Sequence, residues 1–244
     1  MTQRHTWFRT IVASLAAFAA GTGMALAADD SKAFNIDYWT VIKSSPTLWV
    51  LIIISFIMIA FFIERLWTFN SFKGDAEAMM RGVITSLEGS DVTGAVDGTR
   101  KQDVPIGRVL RHVLEAWPLT KAGLQDKVEV ARIREKSYME KRMAFFATMS
   151  TTGPFIGLFG TVLGIVAAFH TLAQTGAGGK EKLMAGISEA LVATAAGILV
   201  GVLSAMMFNF FTVRQKHILA EIDVYARELI VLLVERGLGK GSKK

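Results

Sequence analysis

Residues 187–205 read ISEALVATAAGILVGVLSA, and this stretch decides the fold. No Asp, Glu, Lys or Arg occurs among the 24 residues between Glu189 and Arg214. A helix needs about 20 predominantly apolar residues to cross the roughly 30 Å hydrocarbon core of a bilayer. The stretch therefore predicts a membrane-spanning helix, which we place at residues 183–213.

Two further uncharged runs lie upstream, with 37 residues between Arg142 and Lys180 and 20 between Lys43 and Glu64. They predict spans at residues 46–66 and 143–172. Three such segments exclude an ordinary soluble enzyme. The predicted fold class is an all-α integral membrane protein with three transmembrane helices, of which the second and third extend into long cytoplasmic helices.

The composition excludes several kinds of chemistry. The chain of 244 residues has no cysteine, so it has no disulfide, thiolate nucleophile or cysteine-ligated metal. No P-loop, Ser-His-Asp arrangement or metal-ligand spacing is recognisable, so we expect no enzyme activity, no cofactor and no metal. The net charge of +6 lacks the basic-aromatic motifs of nucleic-acid binding. Lys and Arg collect on the cytoplasmic segments of membrane proteins, which explains the excess.

The N-terminus has the organisation of a cleavable secretory signal over residues 1–28. Two arginines precede the apolar stretch 11–20, and an A-x-A site follows at 25–27. Cleavage near Ala27 or Ala28 would leave a short periplasmic segment at 29–45 and would imply a bacterial inner membrane. An uncleaved N-terminal anchor is the alternative.

Residues 67–142 are polar and are expected to form several cytoplasmic helices, because turn-forming residues divide them at 89–91, 97–98, 105 and 118. No Pro or Gly occurs between Leu124 and Gly153, so the pattern predicts one helix that runs straight into the second span. The helical charge pairs expected along it are Glu129/Arg132, Arg132/Glu135 and Lys136/Glu140.

A periplasmic loop is predicted at 173–182, with a turn at 175–179 and a short hairpin at 180–182. The third span is expected to continue as a cytoplasmic helix and tail over 214–244, with a basic frayed end. Apolar residues recur there at alternating spacings of four and three, which predicts an amphipathic helix with one buried stripe: Ile218, Ile222, Tyr225, Leu229 and Leu232.

The charges that flank the spans give the orientation. Five basic residues lie immediately beyond the spans on one side: Arg65, Lys141, Arg142, Arg214 and Lys216. The other side has only Lys32, Lys43, Lys180 and Lys182. The positive-inside rule therefore places the C-terminus in the cytoplasm and the mature N-terminus in the periplasm. We expect Glu64 and Arg65 to end the first span and to pair locally.

Glu189 is the ionisable residue that interrupts the third span. A carboxylate within the bilayer costs on the order of 3 kcal/mol, so such a residue normally faces a bundle interior or an aqueous path. We interpret Glu189 as a proton site. The alternative is an inert, hydrated position, because Glu189 lies close to the external end of the span.

Thr161 and Thr194 are midspan hydroxyls that could line a wetted path or simply bond a carbonyl of their own helix. Glu189 and Thr194 are five residues apart, which is about 140° around an ideal helix. They could touch one path only through subunit interfaces or a distorted helix.

Small residues recur along the second and third spans and predict close helix packing. The residues concerned are Pro154, Gly157, Gly160 and Gly164 in one span and Ala193, Gly197 and Gly201 in the other. Packing within one monomer is one interpretation. Tight assembly into a homo-oligomer is favoured, because three spans cannot enclose much of a channel alone.

Residues 153–162 (GPFIGLFGTV) and 186–197 (GISEALVATAAG) resemble the two signature stretches of the MotA/TolQ/ExbB proton-channel family. The resemblance implies a pentameric inner-membrane ring around single-span helices of an ExbD/TolR/MotB-like partner, driven by proton motive force. It also implies that Thr161 and Thr194 face the central pore and that Glu189 supports proton flow. The partner's transmembrane Asp would then be the principal proton carrier.

Within the family, the signal and the external N-terminal extension are similar to those of ExbB-like members that energise TonB-dependent uptake. TolQ-like and gliding-type motors remain alternatives. MotA-like members have four spans and are disfavoured. A purely structural membrane scaffold and an autonomous channel are the interpretations outside this motor class.

Overall fold

The computed structural model describes residues 45–235 except 73, 90 and 101. Seven α-helices occur in these residues: α1 Pro46–Ser71, α2 Ala76–Glu88, α3 Val92–Arg100, α4 Pro105–Glu115, α5 Lys121–Glu140, α6 Met143–Thr175 and α7 Lys180–Glu235. No strand occurs among the described residues, so the all-helical prediction is confirmed for them. The predicted signal at 1–28, most of the segment 29–45 and the basic end of the tail lie outside the described residues.

Three of the helices, α1, α6 and α7, are long and apolar enough to cross a membrane. The third apolar stretch belongs to one unbroken helix, as predicted, because α7 runs for 56 residues from Lys180 to Glu235. Residues 180–182 form the first turn of α7 rather than a hairpin, and a short 3-10 turn over Gly176–Gly179 joins α6 to α7.

The second apolar helix differs from the prediction. The single helix expected from Leu124 through Gly153 is wrong, because α5 ends at Glu140 and α6 begins at Met143. Arg142 has a φ of 63°, a left-handed conformation that cannot continue a right-handed helix. Lys and Arg are good helix formers, so nothing in the local sequence marks this break.

The first apolar helix begins where the sequence places it and ends later. Ser45 occupies the N-cap position and Pro46 the first helical position, although the Ser45 side chain makes no capping hydrogen bond. Glu64 and Arg65 do pair, at 3.6 Å between Oε1 and Nη2. They do not end the helix, which continues to Ser71.

Side-chain caps start three of the helices. The carboxylates of Asp75 and Asp91 accept hydrogen bonds from the amides of Ala78 and Gly94, at 2.9 and 2.8 Å, and the Thr120 hydroxyl accepts one from Gly123 at 3.2 Å. The predicted divisions at 89–91 and 118 fall between helices, and Pro105 is the first residue of α4. The division at 97–98 is wrong, since both residues lie inside α3.

The predicted stripe on α7 is confirmed only in part. Ile222 and Leu229 are fully buried, but Ile218, Tyr225 and Leu232 are half-buried at the edge of the core. Leu219, Ala226 and Leu233 occupy the buried positions instead. Helix α4 packs against the same core, and its most deeply buried side chains are Val109, Leu110, Val113 and Leu114. Where the polar and apolar halves of the molecule meet, Phe69 of α1 stacks on Phe211 of α7 at 5.3 Å between ring centroids.

Ion pairs between helices replace two of the expected local pairs. Arg132 pairs with Asp223 of α7 at 2.7 Å rather than with a neighbour on α5. Glu135 pairs with Arg108 of α4, also at 2.7 Å. The expected pair of Lys136 and Glu140 is present at 3.8 Å. Charge spacing along one helix could not reveal partners on another helix.

Arg108 connects several elements at one point. Its guanidinium donates to both carboxylate oxygens of Glu135 and to Asp103, and it lies near the rings of Phe72 and Tyr138. Hydrogen bonding to Glu135 raises the pKa of Arg108 above its ordinary value. Arg108 therefore stays charged and ties α4 to α5.

Arg108→Gln is expected to destabilise the polar helices by about 3 kcal/mol, because Glu135 would be left as an unpaired and largely buried carboxylate. Hydrogen exchange measured by mass spectrometry should show lost protection in α4 and α5. Arg81→Gln is the matched control, since Arg81 makes only an exposed pair with Glu77 and should cost less than about 0.5 kcal/mol. Equal protection in the two variants would contradict this role for Arg108.

Candidate functional site

Helices α6 and α7 form an antiparallel hairpin whose backbones approach closely. A Cβ atom added at Gly197 would lie 2.7 Å from the Cα of Gly157 and 2.8 Å from the carbonyl oxygen of Gly153. One added at Gly157 would lie 2.9 Å from the carbonyl oxygen of Ala193. Real Cβ atoms do not approach backbone atoms so closely, so only glycine fits at both positions.

The same contact continues toward both ends of the hairpin. A Cβ atom added at Gly201 would lie 2.7 Å from Cδ of Pro154, and one at Gly164 would lie 2.7 Å from Cβ of Ala190. At Gly160 the nearest atom would be Cγ2 of Thr47, at 2.7 Å, so α1 joins the hairpin there.

These contacts join parts of one chain. The small residues from which the sequence argument favoured subunit assembly are occupied by packing between α6 and α7 of the same molecule. These small residues are therefore no evidence for contacts between subunits, and a homo-oligomer needs support from other observations.

The two candidate threonines have different environments. The Thr194 hydroxyl donates to the carbonyl of Gly157 at 3.0 Å and so bridges α7 to α6. The Thr161 hydroxyl donates to Leu158 in its own helix at 2.6 Å, and the residue is 8% exposed. Thr161 is thus enclosed within the chain, whereas Thr194 is half-buried at the edge of the hairpin.

Glu189 is half-buried and directly precedes the buried Ala190. Helix α7 is unbroken through this region, so the geometry of about 100° per residue applies. Ala190, Ala193 and Gly197 face α6, and Glu189 and Thr194 lie on opposite sides of that strip. The distorted helix that could have brought the two side chains to one face is not present.

Further polar residues inside the apolar helices were missed by the sequence analysis. Ser204 is fully buried, and its hydroxyl donates to the sulfur of Met58 at 2.9 Å, which connects α7 to α1. Thr47 of α1 is 9% exposed beside Gly160. Ser204 follows Ala193, Gly197 and Gly201 at spacings of four, four and three residues, a signal that could have identified it.

The described residues contain no group of three or more His, Asp or Glu side chains that could hold a metal ion. Within residues 143–172 and 183–213, the ionisable side chains are His170 and Glu189. Three helices that are long and apolar enough to cross a membrane, two of them packed as a hairpin, support a multi-pass α-helical membrane protein.

A sequence model of the MotA/TolQ/ExbB proton channel family matches residues 101–224, which include α6 and most of α7. The chain belongs to this family. The resemblance carried by residues 153–162 and 186–197 is thereby confirmed, and the family is one of channel proteins rather than of known enzymes.

Similar proteins carry two different names. The biopolymer transport protein ExbB of Neisseria gonorrhoeae is 32% identical over 178 residues, covering 67% of this chain and 79% of that protein. The Tol-Pal system protein TolQ of Pseudomonas aeruginosa is 33% identical over 111 residues, covering 46% of this chain and 48% of that protein. The ExbB protein of Pseudomonas putida is 25% identical over 224 residues, covering 87% and 68%. The match to TolQ thus spans about half the length of that relative, and the comparison leaves ExbB-like and TolQ-like roles both open.

Proposed function

We propose that this chain is an inner-membrane proton-channel and motor subunit that converts proton motive force into mechanical work. The observation that carries the proposal is the position of Glu189. It is the only acidic residue between Glu181 and Glu221, and it lies beside the α6–α7 hairpin within the part of the chain that the family model matches. Burying a carboxylate at such a position in the membrane costs free energy, and carboxylates found there usually have a function.

The proposed motor needs a second protein. Apart from Glu64 near the end of the first span, the three proposed spans contain no Asp or Glu besides Glu189, so one chain has no second carboxylate deep in the membrane. A single-span partner of the ExbD/TolR type, with an acidic residue in its span, would complete the path. The name of one relative, Tol-Pal system protein TolQ, describes that protein as part of a system, which agrees with the need for a second component.

A ring of copies, for which we propose the pentamer implied by the family, would resolve the separation of Glu189 and Thr194. Each copy carries Glu189 on one side of the strip that faces α6 and Thr194 on the other side. When copies stand side by side, Glu189 of one copy can approach Thr194 of the next. Both residues can then contribute to one path without any distortion of α7.

We propose an ExbB-like role, in which a TonB-like protein transmits the work to outer-membrane transport. The signal-like N-terminus and the relatives named ExbB support this choice. A TolQ-like or gliding-type motor is the alternative. The proposed topology has the mature N-terminus in the periplasm, spans at 46–66, 143–172 and 183–213, and the polar helices and C-terminus in the cytoplasm.

A purely structural scaffold is a second candidate, favoured by one observation. Both threonine hydroxyls already bond carbonyl oxygens of α6, so packing alone gives each of them a role. The scaffold predicts no proton movement through the assembly.

Reconstitution into liposomes tests the proposed function. The chain and its single-span partner, expressed together, should acidify liposomes under an imposed pH gradient and potential, and the chain alone should not. Thr194→Val should lower this flux more than Thr161→Val, because Thr161 is enclosed within the chain. A pH-sensitive dye inside the liposomes measures the rate. Equal flux with and without the partner would favour an autonomous channel, and absence of flux would favour the scaffold.

A further inference from the structure

The break between α5 and α6 lies against two adjacent residues of α1. Arg65 contacts the last turn of α5, and its neighbour Glu64 contacts Arg142 at the break itself. One short segment of α1 therefore holds both sides of the break. We call Glu64, Arg65 and Arg142 the clasp.

Arg65 holds the α5 side. It is only 4% exposed, and its Nη1 donates to the carbonyl oxygen of the buried Met139 at 3.4 Å. The last carbonyl groups of a helix have no partner within the helix, and a cation there is favoured by the helix dipole. Arg65 therefore serves as a cap for α5 that comes from a different helix.

Glu64 holds the α6 side. Its carboxylate forms an ion pair with Arg142, and the Arg142 guanidinium also lies 5.4 Å from the ring centroid of Phe61, one turn earlier on α1. Arg142 adopts the left-handed conformation, which residues other than glycine rarely adopt without support from surrounding structure. The contacts with α1 provide that support.

We propose that the clasp sets the angle between α5 and α6 and couples it to α1. A displacement of α1 would then change the angle at which the polar helices leave the apolar half of the molecule. Glu64 and Arg65 are positioning residues in this scheme. The proposal does not need proton conduction, so it stands or falls separately from the proposed function.

Packing of the core is the competing explanation for the break. Met139, Met143 and Phe146 are all buried on the two sides of it. If these side chains alone fixed the angle, the ion pair between Glu64 and Arg142 would be dispensable.

Spin-label distances distinguish the two explanations. The chain has no native cysteine, so cysteines introduced at the exposed positions Lys127 of α5 and Thr151 of α6 would be the only labelled sites. The protein is reconstituted into nanodiscs after dilution with unlabelled chain, so that distances within one molecule dominate. A second pair at Lys127 and Arg134, both on α5, reports whether that helix is intact.

Glu64→Gln and Arg142→Gln are each expected to at least double the width of the distance distribution across the break. Arg142→Lys keeps the charge and should keep the narrow distribution. The double variant Glu64→Gln, Arg142→Gln should give a distance distribution no broader than that of either single variant, because each single substitution already removes the same ion pair. Glu77→Gln removes an exposed pair elsewhere and is the matched control.

Three results would overturn the proposal. They are a wild-type width in either Gln variant, additive broadening in the double variant, and equal broadening by Arg142→Lys and Arg142→Gln. If the Lys127–Arg134 distance shows that one Gln variant does not fold, the remaining Gln variant is compared with the separate Arg142→Lys variant. That comparison still tests whether the ion pair is required.

Discussion

Glu189→Gln is expected to reduce partner-dependent proton flux by about a hundredfold. Loss of a positioned proton donor or acceptor usually lowers a rate by at least this factor. Glutamine keeps the size and hydrogen-bonding capacity of the side chain but cannot release a proton. The half-buried environment of Glu189 can accommodate this isosteric change, so the assembly should remain intact. Dye-based flux in co-reconstituted liposomes is the measurement, with size-exclusion chromatography to verify assembly.

Glu181→Gln is the matched control for this prediction. Glu181 lies in the exposed first turn of the same helix, and its replacement should leave flux unchanged. Wild-type flux in Glu189→Gln would remove Glu189 from the path and leave the scaffold as the better interpretation.

Gly197→Leu is expected to prevent the α6–α7 hairpin from forming, and Gly197→Ala is expected to destabilise it by about 1–3 kcal/mol, the usual cost of overpacking. The added Cβ would meet the backbone of Gly157 and Gly153 at 2.7–2.8 Å, and backbone atoms cannot turn aside as a flexible side chain can. Thermal unfolding in detergent, followed by tryptophan fluorescence, should show a lowered Tm for Ala and loss of folded protein for Leu.

Gly98→Ala provides the control, because a Cβ at Gly98 would meet no atom within 4 Å. Replacement of a helical glycine by alanine in open space should stabilise by up to about 1 kcal/mol. If Gly197→Ala and Gly98→Ala changed Tm in the same direction, the close backbone approach would not be a determinant of the fold.

The three apolar helices could be predicted because the bilayer imposes a length and an absence of charge that are visible in any single sequence. The continuity of α7 could be predicted for a similar reason, since its apolar stripe keeps one helical period beyond Arg214. The break at Arg142 could not, because local propensity at Lys141 and Arg142 favours helix. The contacts around the break, such as that of Arg142 with Glu64, 78 positions away in the chain, are visible only in the structure.

Only part of the candidate site could be predicted from the sequence. An isolated carboxylate in an apolar stretch singles out Glu189 without any structure. The difference between Thr161 and Thr194 needs the structure, because both are midspan threonines and only their neighbours distinguish them. The ion-pair partners of Arg132 and Glu135 could not be predicted from the sequence either. The spacing of charges along one helix is the same whether a residue pairs within that helix or with another helix.

The unbroken helix α7 has a structural consequence. Leu233 lies 44 residues after Glu189, which is about 66 Å along a helix that rises 1.5 Å per residue. Because no turn interrupts this length, one continuous helix connects Glu189 to Leu233, which is fully buried in the core that α7 shares with the polar helices. The proposed proton site and the core of the polar helices are therefore parts of one secondary-structure element, with no loop between them.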